Sequence, residues 1–507
     1  MKKNTLYLLL SLLTGLLLAF SFPNFIENTV KVHTSFFIWF AFVPLMYIVI
    51  CEEKVKAVFW YCLASTGVFY LTSLYWILFV GPMGLGAYPA LVILCCYFAF
   101  IYAASFAAAK YLDKKVGIDF IFSLPVIITL AEYAREWLFS GWPVLTPAQS
   151  QHQFIPVLQI LSITGVSGLN FLIISVNCLL ASFAAGRGFK YKKRENIIWS
   201  IIFIVLLAAT VAANSYHNTG TKIIRAAVMQ PNIDQNVQWT PEYRKYTMDA
   251  MKTLYNEIAV NKPDLIIWPE TGYPGTLNLE KNGGIEISSW IKGVFAVVGS
   301  DKAVINGGAP DYYNAAFMVN PQGKITGEYS KHHLVPFGEY IPLQEVIPFV
   351  KKVVQRYGFT GFKSGTKIDP FDFAGMKIGP IICFDSFFPE ISREHALKGA
   401  KALVHLSYET WYGVSPASAQ IFSNAVLRAV ENRLPIIRSV ASGISGIIND
   451  RGEILETTGL FEKKAFVYEL KINEDKQMSF YTMHGDWFAW LLFAVFCGVA
   501  AAKSIKP

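Results

Sequence analysis

Seven apolar runs, at roughly 5–22, 33–50, 57–79, 88–109, 119–139, 163–185 and 197–214, fill the first 215 positions, and an eighth spans about 486–502. Each is close to the ~20 residues that a helix needs to cross a hydrocarbon core. Lipid offers no partner for an open backbone, so such runs must fold as helices. The chain is 53% hydrophobic and only 16% charged, which is unusual for a soluble protein of this size. The apolar excess lies almost entirely in these runs, whereas residues 220–480 have ordinary globular composition. The first run, Met1-Lys2-Lys3 followed by leucines, has the outline of a signal peptide. It is long for one, and Phe20-Ser21-Phe22-Pro23 lacks the small residues of a cleavage site, so it reads as a retained helix.

Basic residues set the expected orientation. One side of the helices would carry Lys2, Lys3, Lys54, Lys56, Lys110, Lys114, Lys115, Arg187, Lys190, Lys192, Lys193, Arg194, Lys503 and Lys506, fourteen in all, against Lys31 and Arg135 on the other. The fourteen-residue side is expected to face the cytoplasm. Both termini would then be cytoplasmic, with the middle segment on the opposite side of the membrane. The same clusters account for the net charge of +8, so that charge does not point to nucleic acid. The apolar runs hold few charges suited to an ion pathway, and Glu132 with Arg135 reads as a local pair near a helix end. The expected division is 1–215 for seven membrane helices, 216–485 for a soluble domain, and 486–507 for the eighth helix and tail.

Residues 220–480 alternate two patterns. Short apolar strands are expected at 222–229, 264–268, 294–299, 313–319, 377–383, 401–407 and 435–439. Helices are expected at 241–260, 389–398 and 416–432, the first opened by Thr240 as cap and Pro241 at the first position. Strands alternating with helices predict an α/β domain with a covered sheet.

Seven cysteines occur, and six of them (Cys51, Cys62, Cys95, Cys96, Cys178 and Cys497) lie in or beside the apolar runs. Only Cys383 belongs to the soluble segment, so it has no disulfide partner there. Such a thiol is either an inert core residue or a used one. Its place at the end of the strand 377–383, before Phe384-Asp385-Ser386 and a helix, is the usual mouth of an α/β sheet. Glu270, in Trp268-Pro269-Glu270, also follows an apolar strand and could serve as a base for a thiol, or could be a surface residue in a proline turn. Lys331 and Glu339 lie in the loop-forming segment Lys331–Pro342. Lys331 could donate to an oxyanion, and Glu339 could orient groups near the thiol, although each also reads as an ordinary surface charge. His332 and His333 have no cysteine or acidic partner at metal-like spacing, so no metal and no cofactor is expected.

Glu270, Lys331 and Cys383, in that order and in those strand contexts, resemble the catalytic triad of the nitrilase, or carbon–nitrogen hydrolase, superfamily. With membrane helices on both sides, the whole chain is similar to the apolipoprotein N-acyltransferase family. The resemblance rests on Trp268-Pro269-Glu270, on Lys331 through Pro342, and on Ile381-Ile382-Cys383. It is supported by 230–239, Tyr313-Asn314, Arg428–Asn432, Arg438 and Ser140-Gly141-Trp142-Pro143. It implies a membrane α-helical bundle of eight transmembrane helices carrying a nitrilase-like α-β-β-α sandwich. It further implies ping-pong transfer of a fatty acyl chain from a phospholipid, with phosphatidylethanolamine the expected donor, through a Cys383 thioester. The acceptor would be the N-terminal amine of a diacylglyceryl-cysteine on an apolipoprotein. Glu270 would be the general base, Lys331 the oxyanion stabiliser, Glu339 a support for the intermediate and Trp239 part of the substrate entrance. The family commonly places Tyr and Glu after the cysteine, where this chain has Phe384 and Asp385, so these two are candidate substrate-binding positions. By the same resemblance, 340–370 is a candidate lid. A membrane-tethered amidase using the same three residues, and an inactive lipid-binding scaffold, are the alternatives.

Overall fold

The structure, a computed structural model, describes residues 3–24, 29–187, 194–217, 219–220, 222–233, 240–280, 283–291, 293–306, 309–342, 361–475 and 477–504. It divides into two compact units. Met1–His217, Trp411–Glu431 and Ser479–Pro507 form the first, and Asn218–Thr410 with Asn432–Met478 forms the second.

In the first unit every apolar run is helical. Among the described residues, five helices are long and apolar enough to cross a membrane: Lys3–Phe20, Val55–Ser73, Gly84–Val116, Leu161–Ala184 and Arg194–Ala213. The other three runs give shorter apolar helices at Ser35–Cys51, Phe120–Ala134 and Trp487–Lys503. The second run is shortened by a break between Trp39 and Val43, just ahead of Pro44, where a helix starts most easily. The fifth stops at Ala134, because the next residue turns inward. Arg135 is fully buried and pairs with Glu132 at 2.7 Å. It also donates to the carbonyls of Trp142 at 3.2 Å and Val144 at 2.7 Å. A charge this deeply buried is stable only when paired and hydrogen-bonded. Gly165 interrupts the Leu161–Ala184 helix with φ +62°. A Cβ there would stand 2.6 Å from the Tyr481 ring, so glycine is required on both counts.

One part of the middle segment, Trp411–Glu431, groups with these helices. Gln420 explains why. It accepts from the Trp76 indole at 3.0 Å and donates to the carbonyls of Ser73 at 3.0 Å and Pro23 at 3.1 Å. A buried amide so fully satisfied is a strong local tie.

Among the described residues, the second unit contains two six-stranded sheets. The strands are β1 (Lys222–Gln230), β2 (Leu265–Ile267), β3 (Phe295–Asn306), β4 (Ala309–Val319), β5 (Ile325–Ser330), β6 (Phe371–Phe373), β7 (Met376–Ile382), β8 (Ala400–Ser407), β9 (Ile436–Val440), β10 (Gly446–Ile448), β11 (Ile454–Thr457) and β12 (Lys464–Ile472). One sheet runs β12-β1-β2-β3-β4-β5, the other β11-β10-β9-β8-β7-β6. In each, three neighbouring parallel strands (β1, β2, β3 and β7, β8, β9) are flanked by antiparallel ones. The sheets face one another through β1 and β2 against β9 and through β4 against β7. Helix Pro241–Ile258 covers the first sheet and Pro389–Leu397 the second. Thr240 caps the former, accepting from the Tyr243 N–H at 3.2 Å, with Pro241 in the first turn. Its buried residues Tyr243, Thr247, Ala250, Met251, Leu254, Tyr255 and Ile258 recur at the spacing of one helix face.

The parallel strands coincide with the expected apolar runs. The structure adds β5, β6, β10, β11, β12 and helix Gly283–Ile291. β5 alternates partly buried and exposed positions and β11 is only half-buried throughout. Neither offers the continuous apolar run by which covered strands are recognised.

Candidate active site

Three loops at strand ends meet in the second unit. The first follows β2. Pro269 has no N–H, and the chain keeps its register on β3 through the N–H groups on either side. Trp268 donates to the Val297 carbonyl and Tyr273 to the Gly299 carbonyl, both at 2.9 Å. Thr271 takes φ +50° between them. Gly299 makes this possible, since a Cβ there would lie 2.2 Å from the Pro269 carbonyl and 2.7 Å from the Glu270 Cα. Glu270 is thereby pressed against β3 and is 6% exposed.

The second loop follows β5. The Lys331 N–H donates to the Asn314 carbonyl of β4 at 2.8 Å, which carries strand pairing one residue further and buries the side chain at 1% exposure. Its ammonium lies 2.9 Å from Glu339 Oε1 and 3.4 Å from Glu270 Oε1. Glu339 is held in turn, its Oε2 accepting from the Val335 N–H at 2.8 Å. Asn314 joins the two carboxylates, its amide Nδ2 donating to Glu270 Oε1 at 2.5 Å and to Glu339 Oε1 at 3.0 Å. The Tyr408 N–H donates to Glu270 Oε2 at 2.7 Å.

The third loop follows β7. Cys383 has φ +47°, a conformation that an L-residue with a Cβ adopts only at a cost of about 1–3 kcal/mol and that concentrates at functional sites. The turn is fixed from below, because the Cys383 carbonyl accepts from Ser386 Oγ at 2.9 Å and faces His405 Nε2 at 3.3 Å. His405 Nδ1 accepts from Arg438 Nε at 3.3 Å, which leaves the ring proton on Nε2. Arg438 also pairs with Glu409, and Glu409 accepts from Ser407 Oγ at 2.8 Å.

Electrostatics links the three loops. Burial drives the Glu270 carboxyl above its usual range, with the nearby Glu339 adding to the rise and Lys331, Asn314 and the Tyr408 N–H opposing it. Burial alone would discharge Lys331, but the Glu270 and Glu339 carboxylates outweigh it and hold the ammonium well above its ordinary value. The Cys383 thiol is pushed upward by burial and then by Glu270, while Lys331 and a hydrogen bond from Ser407 pull it down. At rest the sulfur is therefore a thiol beside a carboxylate and an ammonium. His405 is held far below its usual value by burial and by Arg438 and is neutral.

Phe384 is buried against Phe387 and Phe388, at ring separations of 5.4 and 5.2 Å. Asp385 is buried and joins the second loop to the third. It accepts from the Tyr329 hydroxyl at 2.8 Å and from the N–H groups of His333 at 2.8 Å, His332 at 3.2 Å and Ile382 at 3.3 Å. His333 is engaged with Glu390 at 2.8 Å and stacks on Phe388 at 3.6 Å. Trp239, and 343–360 within the candidate lid, lie outside the described residues. In the sequence, Asn314 and Arg438 carry the family resemblance without a role, and no local pattern marks His405, Asp301 or Gly299. The Tyr408 contact is a backbone N–H, which leaves no mark on residue type.

A carbon–nitrogen hydrolase family model matches residues 225–477, and a model of the apolipoprotein N-acyltransferase N-terminal domain matches 14–179. A Geobacter metallireducens protein named apolipoprotein N-acyltransferase is 34% identical over 97% of this chain and 94% of its own length. Apolipoprotein N-acyltransferase 1 of Treponema denticola is 28% identical over 99% and 98% of the two chains. The Chlorobaculum tepidum protein of the same name is 27% identical over 94% and 92%. The chain belongs to the apolipoprotein N-acyltransferase family, and its second unit has the nitrilase-like fold of two sheets.

Proposed function

We propose that this family member moves a fatty acyl chain from a phospholipid to the N-terminal amine of a diacylglyceryl-cysteine on an apolipoprotein, by way of a thioester on Cys383. The observation that carries this reading is the buried Lys331 ammonium between Glu270 and Glu339, beside a thiol on a strained turn.

Glu270 takes the Sγ proton as the sulfur attacks the ester carbonyl carbon. The carbonyl electron pair moves to oxygen, where the Lys331 ammonium stabilises it. Collapse breaks the ester C–O bond, and the departing alkoxide takes the proton from Glu270 and leaves as lysophospholipid. The acceptor amine then attacks the thioester. Its proton passes to Glu270 and on to the departing thiolate, which restores the thiol and leaves an amide. Glu339 and Asn314 hold Lys331 and Glu270 in register through both steps. The raised Glu270 suits a base that must accept a proton and give it back. Burial of all three groups disfavours hydrolysis of the thioester. Phosphatidylethanolamine is the expected donor. Trp239 would line the entrance, and Phe384 and Asp385 would shape the pocket behind the sulfur.

Both substrates are lipid-borne, which fits a chain rich in membrane-length helices. The proposed arrangement is eight crossings of the bacterial inner membrane, with 216–485 periplasmic and both termini cytoplasmic. A cysteine in place of exposed Lys324 should react with a membrane-impermeant thiol reagent only from the periplasmic side, and labelling from the cytoplasm alone overturns that topology. The central test is to incubate the purified protein with phosphatidylethanolamine and measure the mass of the peptide bearing Cys383. An acyl adduct that is discharged by a diacylglyceryl peptide is expected. Transfer that persists in Cys383→Ser refutes the mechanism.

A further inference from the structure

Among the described residues, two buried oxygens beside this site have no donor. One is Asn314 Oδ1 and the other is Asp301 Oδ1. An unsatisfied buried acceptor is destabilising and calls for an explanation. Asp301 on β3 and Asn314 on β4 are directly opposite partners in the antiparallel register, so their side chains leave the same face with Cβ atoms about 4.5–5.5 Å apart. The face is that of the catalytic loop, because Gly299, two residues before Asp301, is where Glu270 rests on the sheet. Thr276 bridges to Asp301 from the same loop.

The orientation of the Asn314 amide is dictated by chemistry. Its Nδ2 faces two carboxylates, Glu270 and Glu339; the reverse orientation would set an amide oxygen against both. Oδ1 must therefore face the other way, and Asp301 is the cross-strand neighbour of Asn314 on that face. Two facing acceptors repel unless a proton lies between them.

We propose that Asp301 is a positioning residue that donates a carboxyl proton to Asn314 Oδ1 and so aims the Asn314 amide at Glu270 and Glu339. The charged groups acting on Asp301 are consistent with this. Burial, with Glu270 and then Glu339 nearby, pushes its carboxyl up to about 6, short of neutrality at pH 7, and the bond donated by the neutral form supplies the remaining rise. The site would then hold three carboxyl groups and one ammonium, with Asp301 neutral. This inference rests on the acyl-transfer reading only where activity is measured.

Asp301→Asn keeps a donor toward Asn314, whereas Asp301→Ala removes it. The expected result is a protonated-carboxyl band at pH 7 in the infrared difference spectrum of substrate-free wild type minus Asp301→Asn. In the acyl-adduct assay Asp301→Asn should stay within about twofold of wild type. Asp301→Ala should lose on the order of tenfold in kcat with KM little changed, the factor that one net hydrogen bond carries. An ionised-carboxylate signature at pH 7, or an Asp301→Asn variant as slow as Asp301→Ala, overturns the assignment. The spectrum needs no substrate, so a protein that transfers no acyl group would refute the proposed function and still leave Asp301 decided.

Discussion

Replacing Asp385 by alanine should disconnect the lysine loop from the cysteine turn. Its carboxylate accepts from the N–H groups of His332 and His333 on one side and from the Ile382 N–H on the other, with the Tyr329 hydroxyl as a fourth donor. Alanine strands the buried Ile382 N–H and the part-buried N–H groups of His332 and His333; at about 1–3 kcal/mol for each group kept from water, the loss is about 3–9 kcal/mol if none is hydrated. Some hydration is possible once the carboxylate is gone, so the low end, about 3 kcal/mol, is the expected loss. For a domain of this size that corresponds to about 6 °C or more in melting temperature. Activity should suffer more than stability, since a shift of about 1 Å in a reacting group can slow a reaction about a hundredfold. Asp385→Asn should be intermediate: it keeps one acceptor oxygen for His332 and His333 but turns an amide donor toward the Ile382 N–H. Melting is followed by tryptophan fluorescence in detergent, and adduct formation by mass. An alanine variant that melts within about 1 °C of wild type and acylates at the wild-type rate would show that the four bonds do not set the Lys331–Cys383 geometry.

Three further outcomes are expected. Adduct formation should require ionised Glu270, whose carboxyl is raised by burial; the rate should therefore fall as pH drops through that raised value and level off above it. Glu270→Gln should remove this limb and leave a low, flat profile, and an unchanged limb would reassign the base. Gly299→Ala should displace Glu270, because the added Cβ would lie 2.7 Å from its Cα; a loss on the order of a hundredfold in kcat is expected, and wild-type kinetics in a folded variant would contradict the close-packing argument. Gly165→Ala should destabilise the first unit by about 1–3 kcal/mol through its positive φ and the Tyr481 ring, read as a lower melting temperature with the Cys383 adduct still formed in protein kept cold.

Much of this protein could be read along one dimension. A bilayer-length apolar run specifies a helix without reference to anything else in the chain, and all eight runs are helical. Buried parallel strands are continuous apolar stretches, so β1, β2, β7, β8 and β9 were visible, and with them the strand ends that carry Glu270 and Cys383. Lys331 was visible only through the loop-forming residues after it, since its own strand β5 is a half-exposed edge. What no local pattern encodes is the register of one strand against its neighbour. Asp301 meets Asn314, Gly299 meets Glu270, and the Tyr408 N–H meets Glu270 Oε2 because strands and loops remote in sequence stop at matching heights. Hydrogen bonding and close packing are decided atom by atom across such pairings. The sequence by itself therefore determined the apolar helices, the covered strands and the chemical groups at their ends, whereas tertiary structure alone decided the half-exposed edge strands and which of those groups hold one another in place.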